Sequence, residues 1–445
     1  MEKVFICLLL LLSAAIVNFA QCEEPSIKKT GAVLAARDFK IDRRAANAET
    51  ILQIEAAAEN TSWASKTAES VILTIFVDEQ YNQDVMLFSG AEKFVYKVVL
   101  GKFASGKHRL RIVLNEARSA KNARKAKISA LDIKQSESKS DADALAAAYS
   151  PFIYARPDTI DKFSDIPVLT YYEILSSGAG AYKIRYTTIF TNEDGGTQTA
   201  ALMARWGRAT DIEWVYEIEV KNDSATNQII QGANHVTKIF AGKRIFGAHP
   251  LIYNVTINNN FNDVGCSPLR TAILPIRVDL STKSRETVMD ENPWIYKIMA
   301  QEAFRENRVN PDKLDANTIA DPRDYLYAEI HNDPYNAAIA VEAKTSGGQT
   351  ISSDGGNKLL RVNRPGFLRI ALLLPKTSRG KFPDVLTISC YPTINTDNTP
   401  EGECRNLNLI KVTRLDENFA LKEIKLSANT HNIKSGEKSE FLIQP

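Results

Sequence analysis

The ten residues Asp211-Ile212-Glu213-Trp214-Val215-Tyr216-Glu217-Ile218-Glu219-Val220 alternate in character along their whole length. A helix would scatter such a pattern around its circumference, whereas a strand sends successive side chains to opposite faces. The segment is therefore expected as a strand inside a sheet, with Trp214 and Tyr216 in the core. Asp211, Glu213, Glu217 and Glu219 then share the other face. Four carboxylates on one face repel each other unless water or a cation screens them, which leaves two readings. The face is solvated, or it helps to ligate Ca²⁺ or Mg²⁺.

Short runs of strand character recur between turn signals along all 445 residues. In the stretch 27–134 they fall at 50–57, 70–77, 93–100, 108–114 and 125–133, a spacing that favours a β-sandwich over any α/β arrangement. Within it, V-V-L-G-K-F-A-S-G-K-H-R-L-R-I-V-L resembles the strand–Gly–strand passage of jelly-roll carbohydrate-binding modules. Residues 135–148 lack apolar periodicity and read as a linker, with Asp143 capping a short helical run at 144–148. A central block, 149–320, carries strands at 168–175, 182–191, 211–220 and 249–257. It also carries one amphipathic helix near 293–306. Asn292 suits the N-cap and Pro293 the first turn, and Ile295, Ile298, Met299 and Phe304 are expected on one face. The last block, 321–445, returns to strands at 325–330, 337–343, 359–362, 367–374, 385–390 and 407–412, and could belong to the same unit. The fold class read from this is mainly β: a jelly-roll-like sandwich followed by a larger β-sandwich unit with one or two helices.

The N-terminus predicts export. Lys3 precedes an uncharged run from Val4 to Val17, and fourteen residues make a helix of about 21 Å, short of a bilayer core. Residues 1–21 read as a signal peptide, with Ala20 just before the cleavage point, and no later stretch is apolar enough to span. Cys22 suggests either a lipidation site or a plain residue near the new terminus. In an oxidising compartment Cys390 and Cys404, flanking Y-P-T-I-N-T-D-N-T-P-E-G-E, are expected to pair. Cys266 would then join Cys22 or stay a buried thiol. The expected location is secreted or in the cell envelope.

The motifs with chemical content lie in the central block. Thr191-Asn192-Glu193-Asp194-Gly195-Gly196-Thr197 supplies oxygen ligands beside two glycines, either as a tight turn or as a cradle for a hard cation. Asp194, Asp211 and Glu213 are the expected set for Ca²⁺ or Mg²⁺. Asn254, Asn258, Asn259, Asn260, Asn262 and Asp263 form an amide-rich stretch, suited to glycan hydroxyls or to ordinary loops. Glu193 with Glu213 could also act as a glycosidase pair. In the first block, residues 101–128 hold nine Lys or Arg against the single acid Glu116, a local match for an anionic surface or a solvated hairpin.

The order Y-S-P-F-I-Y at 149–154, N-E-D-G-G-T, W-G-R-A-T-D-I-E-W-V and His249-Pro250 resembles the vacuolar-protein-sorting family numbered sixty-two and its secreted bacterial relatives. The Asp-x-Glu strand is also similar to the G-H-R-H-D-W-E heptad of necrosis- and ethylene-inducing-like proteins. That likeness implies a β-sandwich for residues 149–265. It also implies a divalent cation held at Asp211 and Glu213 and used at a sphingolipid headgroup. Thr210 and Ile212 stand where the heptad has His and Trp.

Composition removes other classes. With 55 Lys+Arg and 53 Asp+Glu the formal charge is +2, which gives no general reason to expect nucleic acid. The five His form neither H-x-x-x-H nor H-E-x-x-H, and neither G-x-S-x-G nor a Walker loop occurs. The function expected is non-catalytic binding of a glycan or lipid headgroup at a cell surface. The alternatives are a carbohydrate-active hydrolase and a structural envelope component.

Overall fold

The computed structural model describes residues 31–43, 48–136, 140–178, 180–193, 195–222, 224–265, 267–310, 314–345, 348–393, 402–427 and 429–443. The expected signal peptide, Cys22, Asp194 and Cys266 lie outside the described residues. The molecule is mainly β, with six sheets among those residues.

In the first part a four-stranded antiparallel sheet has the order Val33–Ile41, Gly106–Leu114, Ile72–Val77, Gln80–Met86. A three-stranded sheet, ordered Phe94–Gly101, Thr50–Ala58, Ala126–Gln135, accompanies it. Leu52 and Ile54 of the second sheet and Leu73, Ile75, Leu110 and Ile112 of the first belong to one buried cluster, the filling of a sandwich. Val33–Ile41 and Gln80–Met86 were not expected, because Arg37, Asp38 and Lys40 in one and Gln80, Asn82, Gln83 and Asp84 in the other hide the apolar period.

The central part opens with a helix at Asp141–Ala148, in the stretch read as linker. Its cap is Ser140 and not Asp143: the Ser140 hydroxyl accepts from the Asp143 amide at 3.2 Å and donates to the Asp143 carboxylate at 2.9 Å. A six-stranded sheet then runs Thr237–Ile239, Ser224–Gln231, Asp211–Lys221, Ala181–Phe190, Pro167–Gly178, Ile276–Arg277. A second sheet is built around His249–Asn254 and the short strand Phe152–Tyr154. Ile153 and Ile252 of the second sheet share a buried cluster with Ile184, Tyr186, Tyr216 and Ile218 of the first. The helix Trp294–Arg305 buries Ile295, Ile298 and Met299 as expected. Phe304 instead stays 40% exposed, since nine residues at 100° each put it on the side opposite Ile295. Asn292 is not the cap; its amide donates to the Val288 carbonyl at 2.9 Å and closes the preceding short helix Thr287–Glu291.

In the last part the sheet Gly366–Leu373, Tyr325–Tyr335, Glu403–Leu415, Leu421–Lys425 shares a core with the sheet Thr350–Ser352, Ala337–Lys344, Val385–Pro392, Lys438–Leu442. The expected strand at 359–362 is a 3₁₀ turn, Lys358–Leu360, touching a sheet only where Val362 pairs with Ile339. Cys390 and Cys404 are both buried in that core and form a disulfide, with Cα atoms 6.1 Å apart.

The three parts are fastened together. Trp63 of the first donates its indole N–H to Glu302 of the central helix at 2.7 Å, and Glu49 meets His249 Nε2 at 2.9 Å. One apolar cluster runs from Leu52 through Met299 to Tyr327 and Leu415.

Candidate functional site

The strand Asp211–Lys221 has the expected position, flanked on both sides, but its faces are not the expected ones. Tyr186 pairs with Tyr216 while Thr187 pairs with Trp214, so one residue, Val215, is extra on this strand. Such a bulge changes the phase of alternation. Thr188 and Tyr186 lie on one face of their own strand, and their partners Glu213 and Tyr216 therefore share a face too. The consequence is a correction to both halves of the expectation. Trp214 is only partly buried, with the Arg185 guanidinium 5.6 Å from its ring centre, while Asp211 and Glu213 are 1% and 8% exposed. Glu217 is also buried, held by Arg185 at 2.6 Å and Lys183 at 2.8 Å.

Glu213 is the floor of a polar cluster at one end of the sheet's strands. Gln231, at the end of the neighbouring strand, donates its amide to Glu213 Oε2 at 2.6 Å and also meets His235 Nδ1. His235 follows Asn234 in a turn where both residues have φ of 58°, a left-handed conformation that non-glycine residues rarely adopt. This turn leaves the imidazole about half exposed, 3.8 Å from Glu213 Oε2. The Asn258 amide, in the orientation that satisfies both of its ends, accepts from His235 Nε2 at 2.8 Å. It then donates to Glu193 Oε1 at 3.0 Å and to the Gly195 carbonyl at 3.2 Å. That arrangement makes Nε2 the protonated nitrogen of the neutral ring and leaves Nδ1 as the acceptor for Gln231.

The glycines of the expected Gly-rich turn have a different job from cation cradling. A Cβ on Gly195 would lie 2.4 Å from Ile257, and one on Gly196 2.4 Å from the Asn258 side-chain amide. Gly196 also has φ of 94°. At Gly196 the positive φ and the close approach of Asn258 favour glycine where the 255–260 loop closes on Glu193.

Asp211 faces a separate, buried set of partners. Asn259 donates to Asp211 at 2.9 Å and to Asp165 at 2.6 Å, and Arg156 donates to Asp165 at 3.3 Å. Arg208 is 4.0 Å from Asp211 and 3.2 Å from Glu286. Burial, reinforced by the negative charge of Asp211, pushes the Glu193 carboxyl up to about 7 and that of Glu213 up to about 8. Glu193 and Glu213 thus hold their protons up to near neutrality. Asp211 is already engaged by Asn259 and lies beside the Arg208 guanidinium, and Asp194, the third member of the expected cation set, is outside the described residues. Among the described residues no group of three or more His, Cys, Asp or Glu is arranged to hold a metal ion.

No protein-family model matches the chain, and no curated protein matches it. The resemblances drawn from the sequence motifs thus rest on those residues alone. Among solved structures the chain is similar to a sugar-binding protein, the EclA C-terminal domain. Identity is 14%, over 28% of this chain and 86% of that one, with a TM-score of 0.18. A likeness that slight carries neither fold nor function across.

The amide-rich stretch divides. Asn254, Asn259 and Asn260 are buried and knit the loop, and Asn258 faces the imidazole. Gln231 and His235 had no signal in the sequence, since residues 193, 213, 231, 235 and 258 follow no period and meet only through the fold. The basic stretch 101–128 is partly neutralised: Arg111 lies 3.0 Å from Glu79, Lys102 3.6 Å from Glu49 and Arg118 3.6 Å from Asp84. Among the described residues no helix is long and apolar enough to cross a membrane.

Proposed function

We propose that the protein is an exported, non-catalytic binder of a cell-surface glycan, and that the ligand meets His235 and Asn258. The observation that carries this reading is the layering of the site. An imidazole about half exposed and a partly buried amide stand in front of two carboxyls that are 5% and 8% exposed. The front layer keeps the second lone pair of the Asn258 oxygen for a sugar hydroxyl and the exposed imidazole face for the ring, while Gln231 and the rear layer fix their orientation. Val236 and Ile257, 64% and 58% exposed, adjoin these two residues in the chain and offer apolar contact to the C–H faces of a sugar ring.

A second reading, glycoside hydrolysis, is favoured by the carboxyl values of about 7 and 8, where a general acid would be useful. Access weighs against it, because a catalytic acid must reach the glycosidic oxygen and both carboxyls lie behind the imidazole. A glycan array read with the wild type and with His235→Ala and Asn258→Ala is the test. Binding by the wild type and its loss in both variants supports the proposal; an empty array rejects it. Release of reducing ends from a polysaccharide panel, abolished in Glu213→Gln, would establish the hydrolase instead.

A further inference from the structure

A groove of about 660 Å³, the size of a ligand cleft, lies beside this cluster on the seam between the first sandwich and the central part. Ile257, which precedes Asn258 in the chain, is one of its walls. Phe163 and Arg305 also line it. The Arg305 guanidinium donates to the Trp63 carbonyl at 2.8 Å and to the Phe163 carbonyl at 2.5 Å, which ties the two parts together across the groove.

Three lysines reach the groove from three separate segments. Lys66 lies in the turns after Thr50–Ala58, Lys121 in the loop after Gly106–Leu114, and Lys162 at the end of the short helix Pro157–Lys162. The first two segments are joined: Asn122 donates its backbone amide to the Thr67 carbonyl at 2.8 Å and its side-chain amide to the Thr67 hydroxyl at 3.0 Å. All three lysines are exposed, and among the described residues none has a side-chain hydrogen-bond or ion-pair partner. The described acids that line the groove are engaged instead. Glu69 accepts from the Thr67 amide at 2.9 Å, Asp158 lies 3.5 Å from Arg156, and Glu306 lies 3.2 Å from Arg308. Three uncommitted ammonium groups around one cleft focus a positive potential into it. Such a field selects an anion, and lysine, a point charge, takes carboxylate and sulfate alike.

We propose that this groove takes the negatively charged groups, carboxylate or sulfate, of an acidic glycan whose neighbouring sugar meets His235 and Asn258. The inference rests on the glycan reading and narrows it to an anionic ligand. Matched probes on an array test it with the full chain: pectate beside fully methyl-esterified pectin, and sulfated carrageenan beside its desulfated form. The acidic member of a pair should bind tighter by about 10- to 100-fold, since each exposed ion pair is worth up to about fivefold. The preference should vanish in about 1 M salt, where the Debye length is about 3 Å. The triple variant Lys66→Gln, Lys121→Gln, Lys162→Gln should bind both members of a pair alike. A second triple variant, Lys127→Gln, Lys376→Gln, Lys422→Gln, removes equal charge from exposed positions outside the groove and should keep the preference. Equal binding of both members by the wild type overturns this inference and leaves the glycan reading standing, whereas no binding to any member overturns both. A preference that survives the first triple variant, or falls equally in the second, also overturns it. So does binding to vesicles of phosphatidylglycerol and phosphatidylcholine without binding to either acidic polysaccharide.

Discussion

Replacing Glu213 with Gln should change the pH dependence of stability far more than stability at low pH. The carboxyl of Glu213 is raised from 4.5 to about 8 by burial and by the negative charge of Asp211. A raised carboxyl binds its proton in the native state when the unfolded chain has already released it. Stability from this group is therefore complete below pH 4.5 and declines as pH rises toward 8. Each unit is worth about 1.4 kcal/mol, so wild type should lose roughly 4 kcal/mol between pH 5 and pH 8 through this residue. Gln cannot ionise and carries no such loss, while Glu193 and every other titrating group remain in both proteins. Urea unfolding at pH 5, 6, 7 and 8 gives the comparison directly. The two proteins should agree within about 1 kcal/mol at pH 5, and the variant should be the more stable by several kcal/mol at pH 8. A difference that stays flat across this range would show that Glu213 ionises normally, and the reasoning about the buried cluster would fail.

Trp63→Ala should cost about 4–5 kcal/mol in denaturant unfolding, because the ring is fully buried and Glu302 loses its indole donor. Trp214→Ala should cost only about 1–2 kcal/mol, since the partly buried ring gives up some apolar area and one cation–π contact with Arg185. An equal or larger loss than Trp63→Ala would refute the bulge-based account. Cys390→Ser with Cys404→Ser should lower stability by about 3 kcal/mol, the chain-entropy value for a bridge at a separation of 14 residues. Gly196→Ala should push Asn258 off Glu193 and weaken glycan binding on the array while the far-ultraviolet spectrum is unchanged.

Most strands were legible because half-buried antiparallel strands write their period into the sequence, as Thr50–Ala58 and Ala181–Phe190 do. The faces of Asp211–Lys221 were not, since a bulge depends on the partner strand and leaves no local mark. Alternation read straight through Val215 placed Asp211 and Glu213 opposite Tyr216, and one extra residue reverses that. Asp211 meets Arg208 three residues before it and Asn259, which only the fold brings near. Phe304 was misplaced for a simpler reason, a nine-residue step counted as if it returned to the same helix face. Glu193 and Glu213 could be named as a pair from residue type alone. What surrounds them could not, because Gln231 ends one strand, His235 sits in the turn after it and Asn258 arrives on a separate loop.

The fastening of the parts also dictates a timetable for folding. The Trp63–Glu302 bond joins residues 239 apart and the Glu49–His249 bond residues 200 apart. Leu415 completes a core begun by Leu52. Contacts of such long sequence separation form late and slowly, because their loop entropy is spent before they return any stability. A chain emerging from its N-terminus would hold the first sandwich with its Trp63 side unfinished until the central helix appears. Refolding from urea should accordingly show an early phase that leaves Trp63 fluorescence non-native and a slower one that restores it. A fragment ending at residue 290 should stop after the first.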